Sequence, residues 1–492
     1  MPPVSGQTLL IGWLLLPFMA AFLAALLPPL ARWLALACCL ATGAVAAAID
    51  AGALPASLHL LGPYGVVLQP DALAAPFLLL DALVCGAVVL DGWRRPMPGP
   101  FLLLLMVLHG GLASAFVAVD LISLYVTLEV VGISAFLLIL ITRSDRSLWL
   151  ALRYLLIGNT VMTLYLIGAA VVYLEQGSFR LEAAATAGAA ALALLLVGLL
   201  TKAGLFLSGL WLPRTHAEAP AEVSALLSGV VVAAGVVPLL RLAAVSPALA
   251  AVLPLVGVAS AGLGLLFALF EADAKRLLAW STLSQMGLVV LAPAAGGLYA
   301  LGHGLAKAAL FLVARRFPGR DLADWAGRPL PAGVWGTLWI SSLSIVGVPP
   351  LLGFFAKSGL EKALPVPTAW LLSLLAVGTA AVYARLWGAP LRQSALPPGA
   401  TAEPEPAWSP GVVLLLAALV LLGAGEAFRD WSPALVPAAA KAAVVLAVGV
   451  GLHRLLQPLR RIAWLRLPDL EGFPDLVGGI GVVGAGLLVW IR

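Results

Sequence analysis

The sequence predicts an all-α polytopic membrane protein, and three observations carry that expectation. Hydrophobic residues make up 62% of the 492 positions and charged residues only 10%, whereas soluble domains carry roughly 25% charge. Apolar runs of about 18 residues or more recur along the whole chain, each long enough to cross a ~30 Å hydrocarbon core. Basic residues gather in alternate connections between those runs, which is the asymmetry of a chain that crosses a membrane repeatedly.

The runs fall near residues 8–30, 33–54, 72–91, 101–119, 121–142, 152–174, 185–210, 221–245, 250–270, 276–293, 297–314, 333–355, 367–388, 411–427, 435–453 and 474–491. They imply about 14–16 transmembrane helices. The first run has neither a basic leader nor a small-residue cleavage site and reads as a retained anchor. Arg94/Arg95, Arg143/Arg146/Arg153, Lys275/Arg276, Arg315/Arg316/Arg320/Arg328, Arg385/Arg392 and Arg454/Arg460/Arg461/Arg466 lie in one set of connections; the alternate set carries only Arg180, Arg241, Lys362 and Arg429. The positive-inside rule then puts the first set in the cytoplasm and both termini on the opposite side; the membrane expected is a bacterial inner membrane. The net charge of +5 follows from this topology and calls for no nucleic acid.

Cys38, Cys39 and Cys85 all sit in apolar runs. Adjacent cysteines cannot chelate as a Cys-x-x-Cys pair does, and no histidine cluster accompanies them, so they read as helix filler and no metal is expected. Asp81 stands mid-run with no charged neighbour in sequence; it is either an additional proton or cation ligand or a hydrogen-bonded carboxyl packed among helices. Asp71 and Asp91 mark the ends of the same run. His109, alone in its helix, reads as a packed histidine rather than a proton carrier.

Glu129 is centred in an apolar run and needs a cation or a proton. Lys202 follows about 18 uncharged residues, a depth at which an ammonium costs at least ~3 kcal/mol. Gly204, Gly209 and Pro213 weaken the helix just beyond it. Lys307 is equally central, with His303 one turn before it on the same face, so that the two can line one polar track. Lys357 follows Pro349, Pro350 and Gly353, which interrupt their span; it either lines a cavity at an unwound segment or ends its helix as an interfacial lysine. Lysine suits a buried proton carrier better than arginine because its charge is readily lost. Lys275 reads as a topology anchor, and Lys362 and Lys441 as snorkelling residues near span ends.

Residues 393–410, rich in proline with Glu403 and Glu405, form the longest non-apolar connection and read as a surface loop. Beyond it, residues 453–467 are basic and amphipathic around Pro458, fitting an interfacial helix on lipid or on a partner subunit, or else a solvated basic loop.

Five blocks bear a family resemblance. Asp120-Leu-Ile-Ser-Leu-Tyr-Val-Thr-Leu-Glu129 with Ile133–Leu138 resembles the glutamate-bearing fifth helix of antiporter-like membrane subunits, found in Mrp-type cation/proton antiporters, respiratory complex I and membrane hydrogenases. Thr201–Phe206 through Trp211–Pro220 to Val223–Gly229 resembles the broken seventh helix and the start of the eighth. Asp273–Gly287, and then His303–Leu312 with Gly347–Lys357, resemble later blocks in the family's order. Among the branches, Tyr125–Phe136 and Arg143–Trp149 with Arg153–Leu156 are most similar to the D-type Mrp subunit.

The resemblance spans about residues 65–390. It implies two inverted five-helix repeats, each with a broken helix: 120–245 and 246–392, preceded by N-terminal helices 1–119 and followed by the loop and the C-terminal helices 411–492. It also implies proton transfer by Glu129, Lys202, Lys307 and Lys357; His303, His216 and Asp81 are supporting candidates, Asp81 on its mid-run position alone. Two departures stand out. The family's eighth-helix lysine is replaced in Val230-Val-Val-Ala-Ala-Gly235 by Ala233 or Ala234, and Asp81 matches no family position.

The expected function is proton translocation coupled to sodium or another monovalent cation in a multisubunit antiporter. The alternatives are a redox-driven pumping subunit of a complex I-like or hydrogenase complex, and a non-conducting scaffold, which the missing lysine motivates. Expected partners are other integral membrane subunits, protons, Na+ and the bilayer. No quinone, nucleotide or iron–sulfur motif occurs, so no cofactor is expected.

Overall fold

In the computed structural model, residues 6–54, 57–60, 66–325, 327–391, 408–429, 433–461 and 467–491 are described. The chain opens with α1 (Gly6–Leu26) and α2 (Ala31–Asp50), then a short antiparallel pairing of Leu58–His59 with Val67–Leu68. Next come α3 (Ala74–Asp91), α4 (Phe101–Val117), α5 (Leu121–Ile139), α6 (Asp145–Gln176), α7 (Ala189–Lys202) and α8 (Leu212–Glu218). The middle of the chain supplies α9 (Ala221–Leu226), α10 (Val232–Val245), α11 (Pro247–Phe270), α12 (Ala274–Leu291) and α13 (Gly296–Val313). The rest are α14 (Ala332–Val346), α15 (Leu352–Ala363), α16 (Val366–Tyr383), α17 (Pro410–Arg429), α18 (Leu435–Leu456) and α19 (Phe473–Trp490).

Twelve helical segments among the described residues are long and apolar enough to cross a membrane, or up to 13 with the bent pair Ala189–Lys202 and Phe206–Glu218. The remaining predicted runs correspond to the shorter apolar α4 and α14 and to α12. Serine, threonine and glutamine lower the hydropathy of α12, yet Ser281, Thr282, Ser284 and Gln285 are all buried, so these side chains face protein rather than lipid. The chain is an integral, multi-pass membrane protein.

Local chemistry sets the helix ends that matter. Asp120 caps α5, accepting from the backbone N–H of Ser123 (2.7 Å) and also from that of Val67 (3.0 Å). A reciprocal Ser144/Ser147 capping box starts α6 at Asp145, about two turns earlier than hydropathy alone places it. The run predicted at 185–210 does not continue as one helix. Gly204 has a φ of +67°, and a Cβ on Gly209 would lie 2.3 Å from the Gly204 carbonyl carbon, so the chain crosses itself where only glycines fit. This ends α7 at Lys202 and bends the span by 44°. Gly347, with a φ of +93°, ends α14 in the same manner before Pro349 and Pro350.

Burial sorts the helices into centre and rim. The stretch Val223–Ala243, joined across a π-helical turn at Leu227–Val231, is buried throughout, and α13 nearly so. By contrast α5 and α6 bury one face only, and α18 leaves almost all of its surface outside the bundle. Most of the predicted 393–410 loop lies outside the described residues. The basic segment after residue 453 is only partly described: His453 and Arg454 continue α18, and Arg460 donates to the Leu269 carbonyl (2.8 Å) at the end of α11.

Candidate functional site

Glu129, at mid-length in α5, meets Lys202 at the end of α7, with 3.6 Å between Oε1 and Nζ. Their side chains are 20% and 11% exposed, so the pair is shielded but lies towards the rim of the bundle. Space for the ammonium comes from missing side chains. A Cβ on Gly132, one turn after Glu129, would sit 2.8 Å from Lys202 Nζ, and one on Gly158 in α6 would sit 3.5 Å away. The helix break ends α7 at Lys202, and the N–H groups of Ala203, Leu205 and Gly204 just beyond it take the carbonyls of Leu199, Leu200 and Thr201. Trp211 anchors the far side of the break by donating to the Thr201 carbonyl (2.8 Å).

Lys307 is fully buried in α13 with no carboxylate against it among the described residues. Its Nζ donates to the Leu278 carbonyl in α12 (2.6 Å) and lies 5.5 Å from the centre of the Tyr383 ring, a cation–π approach. Thr282 Oγ1 donates to that same Leu278 carbonyl (3.1 Å) and shares a hydrogen bond with Ser228 Oγ (2.7 Å) in the π-helical turn. A line of hydroxyls and one carbonyl thus runs from the stretch after α9 to Lys307. Ser228 and Thr282 lie within the sequence blocks that carry the family resemblance, but a hydroxyl in an apolar run has no sequence signal separating a relay from a packed residue. The eighth-helix lysine is indeed missing: Ala233 and Ala234 are buried, and α10 packs directly on the end of α7, where a Cβ on Gly235 would lie 2.4 Å from the Ala203 nitrogen.

His303 is buried one turn before Lys307, and neither ring nitrogen makes a hydrogen bond among the described residues. His216, in α8, packs between the rings of Trp211 and Phe311, 5.8 and 6.1 Å away, with no side-chain hydrogen bond assigned among the described residues. Since Phe311 lies one turn past Lys307 on α13, His216 reaches from the broken seventh span towards the second half of the bundle.

Lys357 lies in α15 and turns back across the break. Its Nζ donates to the carbonyls of Ile345 (3.1 Å) and Val346 (2.8 Å), the last of α14. Of the two sequence readings, this is the unwound segment rather than a plain helix end. Lys357 also lines a cavity of about 610 Å³ formed by α15, α16 and α18. Glu361 and Lys441 line the same cavity and pair with each other. Lys441, expected to snorkel, is therefore tied to α15, and Lys275 donates to the Ala219 carbonyl (2.7 Å) beyond α8.

Asp81 joins none of these groups. Its carboxylate meets His109 of α4 at 2.8 Å and accepts from the Cys85 thiol at 3.2 Å. Asp71 and Asp91 do flank α3 as expected: Asp71 caps Ala74 and holds Arg241, while Asp91 takes Arg95, Arg315 and Ser409.

Residues 118–382 match the model of the NADH:quinone oxidoreductase/Mrp antiporter transmembrane family. Over 331 residues the chain is 32% identical to NADH-quinone oxidoreductase subunit N of Desulforudis audaxviator, spanning 60% of this chain and 66% of that relative, just under two thirds of its length. It is 30% identical over 341 residues to the D-type Na+/H+ antiporter subunit of Alkalihalophilus pseudofirmus, covering 61% of this chain and 67% of the other. In fold it resembles a chain of the Mrp complex from Dietzia sp., with a TM-score of 0.78 at 24% identity, over 97% of this chain and 59% of that one. A family match over more than half the sequence, laid on a helical bundle with a broken span at Lys202, makes the chain a member of the NADH:quinone oxidoreductase/Mrp antiporter transmembrane family.

Proposed function

We propose that the chain is the proton-translocating subunit of a multisubunit monovalent cation/proton antiporter, with Na+ as the coupled ion, in a bacterial inner membrane with both termini outside the cytoplasm. The observation that carries this reading is the Glu129–Lys202 pair at 3.6 Å beside a broken helix. In contact, each charge supports the other. Drawn apart in a poorly polar setting, desolvation favours both neutral forms, and the proton leaves the ammonium. About 1.4 kcal/mol of altered local field changes a proton occupancy ratio tenfold, so a small movement at Gly204 and Gly209 suffices.

The proton passes inward to Lys307, with Ser228 and Thr282 covering the approach that a lysine serves elsewhere in the family, and His303 and His216 flanking the path. It leaves by Lys357 into the cavity beside Glu361 and Lys441. The hydroxyl line to Lys307 supports conduction over a scaffold role, because a scaffold has no use for a buried ammonium held by a relay of polar groups. Two broken helices, one in each half, are what inverted repeats would need. Other integral membrane subunits would cover the exposed faces of α5 and α6.

The similarity to NADH-quinone oxidoreductase subunit N keeps a redox-driven pump as the second reading, with the same residues and energy from a neighbouring subunit. The test is cation/proton exchange in inverted vesicles carrying the whole complex. Na+-dependent proton movement that disappears in Glu129→Gln supports the antiporter. Proton movement that needs an electron donor supports the pump, and unaltered exchange in Glu129→Gln removes both.

A further inference from the structure

The N-terminal helices hold a polar cluster that the lysine path does not use. Asp81 and Cys85 are one turn apart on α3, and His109 faces them from α4; all three are buried, and their ligand atoms lie within 4.8 Å of one another. Two details separate this from an ordinary carboxylate–imidazole pair. Although Asp81 Oδ2 and His109 Nδ1 are 2.8 Å apart, neither atom makes a hydrogen bond among the described residues. Oxygen and nitrogen ligands of one tetrahedral zinc stand about 3.3 Å apart, so binding requires the pair to spread by only about half an ångström.

The second detail is the support behind the histidine. His109 Nε2 lies 2.9 Å from Thr42 Oγ1 in α2, and the Trp13 indole N–H of α1 donates to the same oxygen at 3.0 Å. With Nε2–H donating to Thr42, the lone pair of Nδ1 is left facing Asp81. A histidine whose far nitrogen is fixed by an outer partner is the usual arrangement behind a metal ligand.

We propose that Asp81, Cys85 and His109 bind one zinc-class divalent cation, a site that ties α3 to α4 and, through Thr42 and Trp13, to α1 and α2. Charge selects the valence: one carboxylate, one thiolate and one neutral imidazole around a 2+ ion sum to zero, the state an apolar bundle tolerates. Mixed O, S and N ligands suit zinc better than Na+ or Mg2+, which prefer oxygen alone. On binding, bonds form from the metal to sulfur, nitrogen and oxygen. The Cys85 thiol proton leaves, so one proton is released per ion and nothing is oxidised.

The test is the metal content of the whole complex purified from zinc-supplemented cells. The expectation is about one zinc per chain, falling at least ~10-fold in Cys85→Ser and in His109→Gln. Because either variant can misassemble, wild-type complex produced with cobalt provides a second reading. A thiolate-to-cobalt charge-transfer band supports the site, and its loss in Cys85→Ser with intact assembly assigns the ligand. Wild-type complex with neither stoichiometric transition metal nor a cobalt band overturns the proposal and makes the cluster a proton-bridged pair.

Discussion

Lys202 and Lys307 are the same residue type in the same bundle, and their surroundings differ in nearly every respect. Lys202 has a carboxylate partner 3.6 Å away, stands at a helix break and lies near the rim. Lys307 is on an unbroken, central helix and has a backbone carbonyl and an aromatic face in place of a counter-charge. An opposite charge makes the protonated state depend on a distance that a moving helix end can change. A fixed carbonyl makes it depend on local polarity that stays nearly constant. The first arrangement suits a switch and the second a relay.

The largest effect should come from breaking the pair. Lys202→Ala leaves Glu129 without its cation, and the expected result is loss of exchange in vesicles, together with a destabilisation on the order of 3 kcal/mol in thermal unfolding of the complex. Lys307→Met should also abolish exchange yet leave thermal stability unchanged or higher, because it removes a buried amine that has no counter-charge among the described residues. Equal destabilisation by the two substitutions would erase the distinction between switch and relay.

Gly132→Ala sharpens the comparison without touching a charge. Its new methyl would stand 2.8 Å from Lys202 Nζ and so displace the ammonium, with an expected loss of about tenfold in exchange rate for each 1.4 kcal/mol of weakened pairing. Thr282→Val, which keeps shape and removes the hydroxyl between Ser228 and the Leu278 carbonyl, should slow exchange by a few-fold, about 1 kcal/mol. A Thr282→Val complex as fast as wild type would detach the relay from Lys307.

The smallest effect concerns the point where the two halves meet at one end of the bundle. Glu471, just before α19, is bonded to Arg276 of α12 (2.6 Å) and lies 3.5 Å from Arg214 of α8. Burial outweighs the two arginines and pushes its carboxyl up to about 7 from 4.5. The folded form therefore holds a proton that the unfolded chain has lost between those values, so stability falls as pH rises from about 4.5 to about 7. Glu471→Gln should flatten that part of the stability profile, measured by thermal unfolding across the window.

Much of this was legible in the residues. Uncharged runs and alternating basic connections predicted the spans, since burying charge in lipid is costly wherever the chain folds. Glu129, Lys202 and Lys307 announced themselves for the same reason, and Gly204 with Gly209 marked the break. Other features had no local signature. Gly132 matters only because Lys202, 70 positions later, fills its space, and Ser228 matters only through Thr282 on another helix. The chemistry of Cys85 is likewise invisible without α4, which brings His109 to Asp81.

By itself, then, the sequence determined the fold class, the number of apolar runs and which ionisable groups lie within them. These follow from the cost of placing each residue type in hydrocarbon, a property summed along the chain. Tertiary structure alone decided which lysine has a counter-charge, which has a carbonyl, and which polar side chains connect them. Electrostatic and hydrogen-bond energies depend on distances of a few ångströms between helices remote in sequence, and no run of neighbouring residues encodes those distances.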